Sequence, residues 1–288
     1  MSAKIVKVVQ GSPDWHAHRA TYRNASETPA VLGVSPWVTP YQLWLQRSGR
    51  AQVEVTKPML HGTQLEPLAR EAYEKLTGHV MQPLVLVEGD YSASLDGITL
   101  DGGLILEVKC PYKGRDSDLW KAASEGVIPE HYRWQIETQL MVSGADLVHL
   151  YVFDGTEGLL VEQRPVPVDW ERIQTGWDEF MAYIAEDRPP PLTEKDTLVR
   201  TDADWQQAAE TFVRLKAEAD AVATQLDEAK AKLVALASHP SEKGAGVALT
   251  RFWKQGAVDY KKVPALAGID LDAYRAAARE EVRVSTVK

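Results

Sequence analysis

One cysteine, Cys110, is all that 288 residues carry. That excludes an intramolecular disulfide and a cysteine-built zinc or iron–sulfur cluster. No run of about 18 apolar residues occurs, so no transmembrane helix is expected. The opening Met-Ser-Ala-Lys-Ile-Val-Lys is too short an apolar run for a secretory signal, and the expectation is a cytoplasmic protein. A basic excess is also missing. The net charge is −9; residues 1–188 hold 17 Lys+Arg against 26 Asp+Glu, and residues 189–288 hold 15 of each. Non-specific nucleic-acid binders carry a basic footprint, so any DNA contact here has to come from local clusters. Hydrophobic residues at 44% and charged residues at 25% fit a folded chain with a real core.

What is present centres on Ser92–Pro111. Two apolar-rich runs flank Asp101-Gly102, a pair that favours a two-residue hairpin turn because both positions need positive φ. Counting outward from that turn, Thr99 pairs with Leu104 and Asp96 falls opposite Glu107, with Lys109 on the same face. Two carboxylates facing each other repel unless a cation lies between them. Oxygen donors suit a hard divalent metal. A solvated hairpin tip with incidental charges is the other reading.

Along the rest of the chain, Ser12-Pro13 caps a helix that places Trp15 and Arg19 one turn apart. Ser26-Glu27-Thr28-Pro29 opens a second helix, and Arg19 leaning toward Ser26 would make an anion site. Apolar spacing predicts a helix over 63–76. There Thr63 and Glu66 form a capping box, or the helix begins near Pro67 and leaves Glu66 free at its mouth. A strand is expected over 80–87, a strong helix over 129–143, strands over 147–153 and 159–166, and a helix over 169–185. This order gives an α/β fold, a mixed central sheet flanked by helices.

Pro189-Pro190-Pro191 reads as a stiff boundary between a domain over 1–188 and an extension over 189–288. Beyond it, apolar residues from Trp205 to Leu236 alternate spacings of three and four without Gly or Pro, a coiled-coil seam that needs a partner helix. A segment over 271–282 is one candidate partner, another chain the other. A hairpin over 247–263 is expected to carry Arg251, Trp253, Lys254, Tyr260, Lys261 and Lys262, a basic–aromatic mixture of the kind that grips a nucleic-acid backbone.

With these residues in view, the chain resembles the YqaJ-type viral recombinases, the lambda exonuclease branch of the PD-(D/E)XK nuclease superfamily, over roughly residues 10–185. The resemblance rests on Ser94-Leu95-Asp96-Gly97 followed by Leu106-Glu107-Val108-Lys109-Cys110-Pro111. Supporting it are Gly62-x-x-x-Glu66-x-x-Ala69-Arg70, Trp15-His16-x-x-Arg19 with Ser26-Glu27, and Gln135-Ile136-Glu137. The family pattern at the last site is usually Gln-x-Gln, so Glu137 departs from it. The resemblance implies a restriction-endonuclease-like core and a Mg²⁺-dependent nuclease, with Mn²⁺ as a substitute. Such an enzyme degrades linear duplex DNA 5′→3′ from an end and feeds a single-strand annealing protein. It implies Asp96, Glu107 and the Val108 carbonyl as metal ligands, Glu66 at a second metal position, Lys109 acting on the attacking water, and Gln135 beside them. Arg19 and Ser26 would hold the 5′-phosphate, and three subunits would form a ring. A site-specific or structure-specific endonuclease, and a non-catalytic DNA-end-binding scaffold, are the competing functions.

Overall fold

The computed structural model describes residues 3–257, 259–266, 269 and 271–274. The chain divides into two units, Met1–Thr197 and Leu198–Lys288. The division falls beyond the triple proline because the residues after it belong to the first unit. Pro190 is buried, and beyond the prolines the Lys195 ammonium donates to the Ser35 carbonyl at 3.0 Å and the Thr39 hydroxyl donates to Asp196 at 2.6 Å.

The first unit opens with strand β1 (Lys4–Val6), helix α1 (Pro13–Thr21), the two-residue strand β2 (Arg23–Asn24), and helices α2 (Thr28–Val31), α3 (Pro40–Arg47) and α4 (Lys57–Thr77). Strands β3 (Gln82–Glu88), β4 (Tyr91–Ile98) and β5 (Leu104–Lys109) follow. Next come α5 (Asp118–Ser124), α6 (Glu130–Ser143), β6 (Leu147–Phe153), β7 (Gly158–Gln163) and α7 (Trp170–Ala185). The seven strands form one mixed sheet in the order β1-β3-β4-β5-β6-β7, with β2 pairing β4. Most neighbours are antiparallel. β5 and β6 are parallel because α5 and α6 make the crossover between them.

Three apolar clusters hold these layers. Ala93, Leu95, Ile105, Val148 and Leu150 of the sheet pack on Ile136 and Leu140 of α6. On the other side Leu104, Leu106, Val108 and Tyr151 pack on Ala69 and Tyr73 of α4. A third cluster joins Trp134 of α6 to Leu43, Trp44, Ile173, Trp177 and Phe180. At about 25 cal/mol per Å² of buried apolar surface, these clusters are the main force against chain entropy.

Helix α4 differs from both sequence expectations. It starts at Lys57, capped by Thr56, and runs unbroken through Pro67 to Thr77. Thr63 therefore caps nothing; its hydroxyl donates back to the Met59 carbonyl, and Glu66 lies inside the helix. Pro67 removes one hydrogen bond, and the Thr63 carbonyl that loses its donor is on an exposed residue where water can replace it. The buried face is also narrower than the apolar spacing implied: Ala69 and Tyr73 are buried, whereas Leu68 and Leu76 are exposed.

The second unit holds helix α8 (Ala203–Leu236), capped by Asp202, and a hairpin of β8 (Ser241–Gly244) and β9 (Val247–Thr250). The hairpin precedes the expected one. Its turn is Ala245-Gly246, both at positive φ, as a two-residue turn of mirror-image type demands. Gln255-Gly256 makes no such turn: residues 251–257 form neither helix nor strand. Two thirds of the partner helix expected over 271–282 lies outside the described residues; Leu271–Tyr274 is one 3₁₀ turn. Among the described residues no helix is long and apolar enough to cross a membrane.

Candidate active site

The β4–β5 register is the one counted from the sequence: Gly97 pairs with Leu106 and Ile98 with Ile105, and the Thr99 N–H donates to the Leu104 carbonyl at 3.0 Å. The turn itself is different. Only Gly102 has positive φ, and its N–H closes a turn on the Thr99 carbonyl at 2.9 Å. The Asp101 carboxylate accepts from the Thr99 hydroxyl and the Gly103 N–H. The loop is thus four residues, and Asp101 serves as its internal brace.

The ladder stops at Gly97–Leu106, and the strands part there. On the other edge, β3 pairs Gln82 with Ile98 but Leu84 with Leu95, so β4 carries one extra residue between them. That is a β-bulge at Asp96-Gly97, a feature that re-aims a side chain. Leu95 and Ile98 consequently face the same apolar cluster. Gly97 is required: a Cβ there would meet the Met81 Cβ at 2.7 Å. The Asp96 carboxylate, turned by the bulge, bridges the open strands and accepts the Val108 N–H at 2.8 Å. Arg70 fixes the bulge from α4, donating to the Asp96 carbonyl at 2.9 Å and to Glu66 at 3.3 Å.

Glu107 is buried and fully partnered. It accepts from Gln135 at 2.7 Å and Gln139 at 2.6 Å and is ion-paired with Lys109. Gln135 and Gln139 are four residues apart on α6, so one helix face presents both amides to one carboxylate. Glu137 is elsewhere. Its buried carboxylate accepts from Gln163, the Val166 N–H and the Trp170 indole, and so pins the entry to α7. The second glutamine of the site is Gln139, which sequence reasoning passed over; the i, i+4 spacing from Gln135 was the available signal.

The electrostatics follow from this crowding. Enclosure holds the Asp96 carboxyl well above the usual range, and the neighbouring Glu107 and Glu66 charges raise it further; Lys109 and the Val108 N–H act against them. Burial works to lower the Lys109 ammonium, but Glu107 and Asp96 outweigh it and the net shift is upward. Burial pushes the Cys110 thiol up to about 12, so it is no nucleophile. Among the described residues no three His, Cys, Asp or Glu side chains form a ready-made metal cage. The Lys109 ammonium is the cation that answers Glu107.

The second group of expected residues lies along the same strand. The Trp15 indole donates to Ser94, two residues before Asp96, at 2.9 Å, and His18 bonds Ser92 at 2.8 Å. α1 is thereby fastened to β4. Arg19 lies over the Trp15 ring and donates to the Ser26 hydroxyl at 3.0 Å and to Glu27 at 3.1 Å. Arg47, which the sequence did not single out, donates to the other Glu27 oxygen at 2.6 Å. With Arg47 pairing Glu27, the group Arg19, Arg47 and Glu27 keeps one net positive charge.

A further residue was missed. Trp37 is 65% exposed. Its ring meets His131 edge-on at 4.9 Å and Tyr132 at 5.8 Å, and the Lys109 ammonium lies over the Tyr132 ring at 5.2 Å. Arg251, Lys254, Lys261 and Lys262 belong to the second unit and share no hairpin ladder. Arg251 donates to the Val234 carbonyl at the end of α8, Lys254 is exposed, and Lys262 lies 3.4 Å from Asp259.

The comparisons agree with this fold. The structure of the alkaline exonuclease LHK-Exo from Laribacter hongkongensis superposes with a TM-score of 0.52 at 23% identity, covering 61% of this chain and 94% of that one. The structure of LHK-Exo in complex with dAMP gives 0.53 at 20% identity over the same shares. Both share the fold. The uncharacterized protein YqaJ of Bacillus subtilis (strain 168) is 25% identical over 145 residues, 48% of this chain and 44% of that protein. The match thus spans less than half of the curated relative. Residues 14–146, which run from the Trp15 helix through Asp96, Glu107 and Lys109 to the end of α6, match the model of the YqaJ-like viral recombinase domain.

Proposed function

We propose that the first unit is a metal-dependent deoxyribonuclease that degrades linear duplex DNA from a 5′-phosphorylated end, 5′→3′. One observation carries the reading. The carboxylates and the lysine meet where β4 and β5 part, and the Arg19–Ser26 cradle is tied to the same strand through Ser94. Hydrolysis alone needs the first group; only an enzyme that starts at an end has use for the second beside it.

The donors suit Mg²⁺, or Mn²⁺ in its place. They are oxygen only, enclosure and then the neighbouring Glu107 and Glu66 charges raise Asp96, and the buried Gln139 Oε1 has no partner. Asp96, Glu107 and the Val108 carbonyl would hold the ion, with Glu66 near a second position. When bound, it would withdraw charge from the scissile phosphate and stabilise the attacking and leaving oxygens. Lys109 then has a nearby water to orient and a developing negative charge to offset. Gln135 and Gln139 keep Glu107 in place by donating to both of its oxygens. Arg19 and Ser26 hold the terminal phosphate by charge-assisted bonds. The exposed ring of Trp37, braced by His131 and Tyr132, offers a face on which a terminal base stacks. Lys254 and Lys262 of the second unit would supply backbone contacts; the side chain of Lys261, the third lysine of that reading, lies outside the described residues. Polarity, the three-fold ring and delivery of the product to a single-strand annealing protein follow from the family resemblance.

End-labelled linear duplex and a covalently closed circle, each incubated with Mg²⁺ or EDTA, test the proposal. Linear DNA is expected to shorten progressively with Mg²⁺ alone, the circle remaining intact. Cutting of the circle would make the protein an endonuclease, and no metal-dependent cutting of either would leave an end-binding scaffold.

A further inference from the structure

Helix α8 has an apolar stripe that stays open among the described residues. It runs over 34 residues, roughly 50 Å, and none of its residues is buried. The stripe is Trp205, Ala208, Phe212, Leu215, Ala219, Val222, Leu226, Ala229, Leu233 and Leu236, with spacings of three and four throughout. Of these, Trp205, Leu215, Val222, Leu226, Leu233 and Leu236 are exposed by 41% or more. A three-and-four stripe of this length is the pattern that a second long helix covers.

We infer that α8 pairs with α8 of a second copy of this chain, side by side and antiparallel. The residue sizes decide the orientation. In a parallel pair every residue meets itself, so Ala208, Ala219 and Ala229 would face alanine and leave gaps, while Trp205 and Phe212 would crowd their own copies. Turned end for end in full overlap, each layer joins residues whose numbers add to the same total. Trp205 meets Leu236, Ala208 meets Leu233, Phe212 meets Ala229, Leu215 meets Leu226, and Ala219 meets Val222. No alanine faces an alanine, and the largest side chains face smaller ones. The flanking charges do not oppose it: Lys216 falls beside Ala223 of the partner subunit, and Lys230 beside Ala209 of the partner subunit. The arrangement is self-complementary and two-fold, the commonest closed symmetry. It is independent of any association of the nuclease units.

Two measurements on the full chain test this. In Leu215→Asp/Leu226→Asp, the native mass by light scattering at micromolar concentration is expected to fall to half that of the unsubstituted protein; an unchanged mass overturns the pairing. Spin labels placed outside the stripe, at Gln207→Cys or Ala221→Cys in a Cys110→Ser background, leave the seam intact and read the orientation. An antiparallel pair sets the two 207 labels about 40 Å apart along the axis and brings the 221 labels close. A parallel pair brings both within about 20 Å. A short 207 distance, or no dipolar signal at either position because α8 docks on its own chain or on another protein, contradicts the inference.

Discussion

Asp96→Asn is expected to lower DNA cleavage by on the order of a thousandfold while the protein stays folded. Asparagine keeps the volume, and its carbonyl can still accept the Val108 N–H that Asp96 accepts now, so the bulge and the open strands survive. What disappears is one of the charges that, in the proposed function, would hold a metal. Stability separates this loss from a misfolded site. Enclosure and the neighbouring Glu107 and Glu66 raise the Asp96 carboxyl in the folded chain, so the folded state binds this proton more tightly than the unfolded one. The benefit is complete below the ordinary carboxylate range and is lost as pH rises through the raised value. Asparagine has no such loss. In EDTA, the melting temperature of Asp96→Asn should therefore exceed that of the unsubstituted protein at pH 8, and the gap should shrink at pH 4. Equal turnover would remove Asp96 from the centre, and a lower melting temperature at both pH values would make its role one of folding.

Arg19→Ala should erase a preference for 5′-phosphorylated over 5′-hydroxyl ends. A hydrogen bond to a charged group contributes about 1.5–3 kcal/mol, roughly 10- to 150-fold in rate. Arg19 makes its bonds from a ring-stacked position over Trp15, and Arg47 remains to hold Glu27, so the substitution empties the cradle without dismantling it. The expected pattern is a fall on phosphorylated ends to the level of hydroxyl ends, with metal binding unchanged. Equal rates on both ends in the unsubstituted protein would take the cradle out of the account.

How much of this could be read in advance differs by residue. The meeting of Asp96, Glu107 and Lys109 was legible because a turn sets a register and strand alternation carries it outward. The bulge that aims Asp96 was not. It depends on Met81 pressing on Gly97, a contact between residues far apart in sequence. On α6 the apolar stripe gave no guide to which polar residue faces what, because Trp134, Ile136, Glu137, Thr138, Gln139 and Leu140 are all buried. A helix buried on every side has no polar face to read. Glu137 and Gln139 are separated only by the elements each side meets. Arg19 and Ser26 came together as their spacing implied, whereas Arg47 joins them from α3 through the tertiary fold. The helix α8 was legible because three-and-four apolar spacing without Gly or Pro is a local signal. The basic hairpin failed for the opposite reason: Gln255-Gly256 resembles a turn, but Ala245-Gly246 has short strands on both sides to close.

The central claim of the proposal is that Asp96 and Glu107 hold a divalent cation, with Glu66 near a second position. Calorimetric titration of the metal-free protein with Mg²⁺ and Mn²⁺, without DNA, measures this directly, with Asp96→Asn as the comparison. Saturable binding to the unsubstituted protein, lost or weakened at least tenfold in Asp96→Asn, is the predicted result. Equal binding by the two proteins, or binding by neither, would contradict it.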